Sequence, residues 1–208
     1  MFSLEATRKQ SLETANELGY PINESLPFLD AATVIRSCDE IVDRILAMLC
    51  VAACAYGFDS QNASAWLARE TSDPHLTPSE SRFLQIRTGD PRMFRERIEG
   101  IWALAWSIGV VPDLDFEKPC ATNFVLCLPD LKGNKSSAAF RENCMLRPHE
   151  QVVSACDLAY CLHWAIRELK LKGMDVPNAV APYVIIERRH ALEWLLTSVD
   201  WDDVTLDT

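Results

Sequence analysis

A chain of 208 residues, 49% hydrophobic and 24% charged, can bury a core of its own and needs neither a metal nor a disulfide in order to fold. Its net charge is −10, from 20 Lys+Arg against 30 Asp+Glu, and no basic run is longer than Arg188-Arg189-His190. That balance excludes a surface built for a phosphate backbone and argues against anionic membranes.

The chain is expected to form one domain over 1–208, with an N-terminal helix and connector at 1–30 and a core at 31–208. Leu4, Ser11, Leu12, Ala15 and Leu18 follow helical spacing, and Gly19 and Pro21 end the pattern. From Val34 to Tyr56 the spacing of Ile35, Cys38, Ile41, Val42, Ile45, Leu46, Leu49 and Ala53 predicts an amphipathic helix closed by Gly57. Glu40 and Arg44 read as an i,i+4 pair on its wet side. A short helix carrying Trp66 follows over 62–70. Thr77-Pro78-Ser79-Glu80 is then a capping box with proline at N1, opening a helix whose Phe83, Leu84 and Ile86 face the core.

The next helix is predicted to start at Asp90-Pro91 and run to Val111. Its end, Gly100 to Val111, contains Ser107 as its one polar side chain, and a helix apolar all round belongs in the middle of a core. Residues 112–148 carry four prolines and a polar break at 132–137, which predicts an irregular connector; the run Phe124 to Leu128 fits either a short strand or a buried helical turn. Helices return at 150–172 and from Pro182 to Ser198, and Trp201 in the acidic tail is expected to fold back onto the body. Arg36–Val42 and Arg147–Val153 echo each other faintly at the starts of two long helices, too weakly for a repeat protein.

The longest uncharged run near the start, Ile45 to Phe58, is too short to span a bilayer, and the N-terminus lacks the pattern of a signal peptide. No membrane association is expected, and the cytoplasm is the expected location. The eight cysteines contain no CxxC, and Cys50, Cys54, Cys156 and Cys161 lie in apolar helical patterns, so all are read as reduced and structural.

Three clusters of charge and aromatic rings could carry chemistry. They are Arg95–Glu99 with Trp102 and Trp106; Asp157, Tyr160, His163, Trp164 and Arg167; and Glu187-Arg188-Arg189-His190 with Glu193 and Trp194. A buried carboxylate beside a histidine can serve as a general base or a metal ligand, and His163 and His190 with Glu187 or Asp157 form an admissible ligand set. No HExxH, GxSxG, GxGxxG or Walker pattern supports an enzyme, and no cofactor or metal is expected. The simpler reading is an inter-helix ion-pair network in which Arg97, Arg188 and Arg189 grip Glu99, Glu187, Asp157 or Asp202. On that reading Glu187→Gln costs about 1–4 kcal/mol by unpairing a buried arginine.

Arg36-Ser37 with Glu40-Ile41 and Arg44, Arg97-Ile98-Glu99 with Leu104–Gly109, Asp157 with His163-Trp164-Ala165, Glu187–Leu195 and Trp201-Asp202-Asp203 together resemble the bacterial family catalogued as domain of unknown function 4272. The likeness spans about residues 30–208 and is weakest over 113–140. It implies one shared helical architecture and no particular activity.

The expectation is therefore an all-α protein of about seven or eight helices around a buried central helix, residues 98–111. Its expected function is a non-enzymatic interaction or adaptor protein, immunity-like in character, whose acidic surface meets a basic partner. The alternative is a metal- or carboxylate-dependent enzyme, or a small-molecule binder, using a pocket of Asp157, His163, Glu187 and His190. The residues at issue, as pocket or as network, are Arg97, Glu99, Trp106, Asp157, His163, Trp164, Glu187, Arg188, Arg189, His190, Trp201 and Asp202.

Overall fold

The computed structural model describes residues 2–30, 33–73, 75–177 and 180–207. Among them are nine α-helices, two 3-10 turns and no strand, so the all-α expectation holds. Helix α1 spans Leu4–Glu17, α2 Cys38–Ala55, α3 Ser60–Glu70, α4 Pro78–Ile86 and α5 Pro91–Glu96. Then follow α6 (Ile98–Ser107), α7 (Ala138–Glu142), α8 (His149–Leu171) and α9 (Pro182–Leu195). No helix among the described residues is long and apolar enough to cross a membrane.

Local chemistry starts these helices close to where the sequence says, although α2 begins at Cys38 behind the Ser37 cap and not at the expected Val34. Ser37 and Thr77 each accept from the amide three residues on, and Glu40 and Glu80 return the bond to the cap amide, completing two capping boxes. Asp59 and Asp90 cap α3 and α5. The helix predicted over 90–111 is divided at Arg97, where α5 ends and α6 begins.

Helix α6 is the buried centre. From Glu99 to Ser107 every residue except Trp102 is out of water, and Ile101, Ala103, Leu104 and Ala105 are fully so. It packs along α9, which packs in turn on α8; α1 covers another side of α8, and α2 lies against α3, α5 and α6. Gly100 permits the close approach of α6 to α9. A Cβ there would lie 3.3 Å from the Met48 methyl, 3.4 Å from the Glu187 carbonyl and 3.6 Å from the Trp201 ring.

The connector at 112–148 is irregular as expected, with a 3-10 turn at Phe124–Cys127 resolving the ambiguous apolar run. Phe124 is buried edge-on to Trp102 at 4.8 Å, while Val125 and Leu126 face water. Cys38 and Cys144 correct the reading that all cysteines are free: they pair as a disulfide, with Cα atoms 6.2 Å apart across 106 residues of chain. Only the tertiary path brings them together. The other six are free.

The faint echo between Arg36 and Arg147 has a structural counterpart. The Arg36 amide donates to Leu195 O, its Nε to Trp194 O at 2.9 Å, and its guanidinium to Val199 O and stacks over the Trp194 ring at 4.2 Å. The Arg147 amide donates to Ser107 O, its Nε to Trp106 O at 2.7 Å, and its guanidinium to Val111 O and stacks over the Trp106 ring at 4.8 Å. Each arginine opens a long helix and latches the C-terminal end of another, using the tryptophan, the next residue and the one five further on. Two matching latches make the echo more than similar helix starts.

Candidate functional site

The three sequence clusters become four separate ion-pair sets. Glu99 on α6 accepts twice from Arg188 on α9, at 3.0 and 2.6 Å, and its other oxygen accepts from the Cys120 amide. Arg188 also donates to the Asp115 and Lys118 carbonyls, so this pair pins the connector to the core. Arg189 bonds Glu193 and the His163 ring. Asp157 is taken by Arg8 of α1, whose Nε and Nη2 reach it at 3.1 and 2.7 Å while its remaining donors meet the Leu26 and Pro27 carbonyls. Trp164 packs beside Tyr160 and Leu26 in the same corner.

The fourth set centres on Glu80. Its two oxygens accept from Arg44 at 2.7 Å each, and it also takes Arg97 and the Thr77 amide. Burial alone would raise this carboxyl; Arg44, Arg97 and the Thr77 amide outweigh it and hold the pKa below the usual carboxylate value. Arg44 is fully buried, which corrects the reading of Glu40–Arg44 as a surface pair: Glu40 pairs with Arg36 instead, at 3.3 Å. Arg97 reaches Asp202 more loosely, at 3.8 Å.

Glu187 is the predicted residue that no ion pair claims. Its Oε2 is buried without a hydrogen-bond partner among the described residues. Burial, opposed by Arg97 and reinforced by Glu96 and Glu99, pushes its carboxyl up to about 7. His190, three residues on, donates from Nε2 to the Trp201 carbonyl at 2.8 Å and stacks on that ring at 4.6 Å. Burial, with Arg97 and Arg44 nearby, lowers its pKa, although the Trp201 carbonyl works the other way. His163 is held elsewhere by Arg189, and burial together with Arg189 and Arg167 lowers it to about 4. The structure therefore ties Asp157, His163 and His190 into different bonds and does not gather them with Glu187 around one point. Among the described residues no group of three His, Cys, Asp or Glu could hold a metal ion.

A cleft does open beside the Glu80 set, with a volume of about 380 Å³. Arg36 just before α2, Glu40 and Arg44 of α2, the segment His75–Thr77 with Pro78 of α4, Trp194, and the tail Asp200–Asp203 line it. Its floor is a stack of cations on rings: Arg36 over Trp194, Arg44 over Trp201 at 4.3 Å, and the two indoles 5.6 Å apart. Both arginines spend their charge internally, Arg44 on Glu80 and Arg36 on Glu40 and two carbonyls. Glu40, Asp200, Asp202 and Asp203 then leave the rim negative. Arg44 Nε and Trp201 Nε1 are buried with no acceptor among the described residues.

Trp201 and Asp202 of the predicted set line this cleft, with Arg97 and His190 supporting it from behind; Trp106 lies on the far latch under Arg147. Sequence reasoning missed Arg8, Glu80 and Arg36 as partners. Arg8 sits one turn before Ser11 and two before Ala15 on the buried face of α1, a periodic signal hidden because arginine reads as surface. Glu80 looked fully explained by its capping box.

A family model described as "Domain of unknown function (DUF4272)" matches residues 8–204. No curated protein and no solved structure matches the chain.

Proposed function

The chain belongs to the DUF4272 family, and with no activity attached to that family we propose a function from the cleft: a non-enzymatic interaction module that captures a cationic side chain of a basic partner. The observation that supports this reading is the mismatch of charge across the cleft. Its arginines are neutralised from within; of its four rim carboxylates Glu40 is paired with Arg36 and Asp202 loosely with Arg97, while Asp200 and Asp203 meet no cation among the described residues. A lysine or arginine entering between Glu40 and Asp200–Asp203 would meet opposite charge at the rim. Its backbone carbonyl would offer the acceptor that Arg44 Nε and Trp201 Nε1 lack. An immunity-like role and a cytoplasmic location belong to the same proposal.

The probe is an oligo-arginine peptide titrated into the full chain at low salt. Saturable binding that weakens at least about tenfold in the triple variant Asp200→Asn/Asp202→Asn/Asp203→Asn, with melting unchanged, is the expected result. Equal weakening when Glu13 and Glu17 on α1 are neutralised instead would reduce the effect to general surface charge and sink the proposal.

A further inference from the structure

A second cavity, of about 740 Å³, opens between the C-terminal half of α8, the turn after it and the first turns of α9. Its charge is opposite to that of the cleft. Arg167, Lys170 and the His163 ring form a polar wall, and Ile166, Met174 and Ile186 form an apolar one. Asp175 is the one acid among the described lining residues, so the wall carries a charge near +1 on a chain of net charge −10.

His163 gives this cavity a built donor. The residue is 6% exposed, and Arg189 stands 2.8 Å from Nδ1. Arginine can only donate, so Nδ1 accepts and the ring proton is on Nε2. The low pKa of the buried ring, about 4, keeps this neutral tautomer at pH 7. Nε2–H is the edge turned away from Arg189, and it meets no acceptor among the described residues. Pro182, the first residue of α9, also lines the cavity, and that helix end has no side-chain cap. Its partial positive charge faces the same space.

We propose that this cavity binds a medium-chain carboxylate, its head taken by Arg167, Lys170 and His163 Nε2–H and its chain laid on Ile166, Met174 and Ile186. A monoanion matches the single net positive charge of the wall, and the cavity volume lies in the range of small-molecule sites.

The test is calorimetric titration of the full chain with decanoate below its micelle concentration, at pH 7 and low salt, followed by NMR of the histidine rings. The expected result is one saturable site, a shift of the His163 ring signals on binding, and at least about tenfold weaker binding by Arg167→Glu/Lys170→Glu. Both substituted positions are exposed, and an unchanged melting curve verifies that the variant folds. No saturable binding, or equal binding by the double variant, overturns the proposal. So does inorganic phosphate or decanol binding as tightly as decanoate, since either would remove one wall from the site. Decyl phosphate binding more tightly than decanoate would overturn the carboxylate assignment.

Discussion

Glu80 holds Arg44, Arg97 and the Thr77 amide while fully out of water, so a single carboxylate ties α2, α4 and the α5–α6 junction together. Glu80→Gln leaves two buried guanidinium groups without their anion. The expected loss is about 3–5 kcal/mol in chemical denaturation, the scale of a broken buried pair. Glu187 is the opposite case. The structure gives it no arginine partner, so the expectation that Glu187→Gln unpairs a buried charge does not carry over. Its pKa is raised to about 7 from an ordinary 4.5. Below 4.5 it is protonated whether folded or unfolded, and its titration does not affect stability. As pH climbs towards 7, the unfolded chain ionises and the folded one does not, and stability falls by about 1–3 kcal/mol. Wild type should therefore lose stability over that window relative to Glu187→Gln, as measured by urea unfolding at a series of pH values. Parallel pH profiles for the two proteins would refute this account.

Among elements, the paired latches make α2 and α8 comparable. Arg36 holds the end of α9 and Arg147 the end of α6, each through backbone carbonyls that a terminal helical turn leaves unpaired. Either arginine changed to alanine should cost about 1–3 kcal/mol through those carbonyls and the lost stacking. Only Arg36 lines the cleft, and its loss frees Glu40, so oligo-arginine binding should tighten in Arg36→Ala and stay unchanged in Arg147→Ala. Titration of both variants at matched folded fraction separates the latch from the binding surface. The capping box of α4 was legible because it is local in sequence, within four residues; the one at Ser37–Glu40 is equally local, yet the apolar spacing puts the helix start at Val34. The division at Arg97 was not legible, because no proline or glycine marks it between Arg92 and Glu99 and its backbone stays in the right-handed helical region.

Across the whole molecule, charge is segregated by cavity. One cleft has a negative rim and the other a positive wall, while the chain as a whole carries −10. Added salt should therefore weaken both oligo-arginine and decanoate, but decanoate less, because its chain binds through apolar contact. The Cys38–Cys144 bridge is also a whole-molecule feature, tying the start of α2 to the segment after α7. Such bridges are rare in a reducing cytoplasm. Protein taken from cells and denatured under thiol-blocking conditions should show six reactive thiols if the bridge forms there and eight if it does not. Six would count against the proposed cytoplasmic location.

The all-α architecture, most helix starts and the burial of Gly100–Ile108 apart from Trp102 could be derived from residue order alone, because periodicity and capping are set within a few residues along the chain; the central helix stops at Ser107, short of the expected Val111. The resemblance to DUF4272 was likewise legible from the three clusters. What tertiary structure alone decided was pairing: that Asp157 belongs to Arg8, Glu99 to Arg188 and Arg44 to Glu80, and that Glu187 belongs to none. Helical spacing indicates which side chains share a face. It does not say which face of another helix comes to meet them, and a buried charge is settled only by the partner that does.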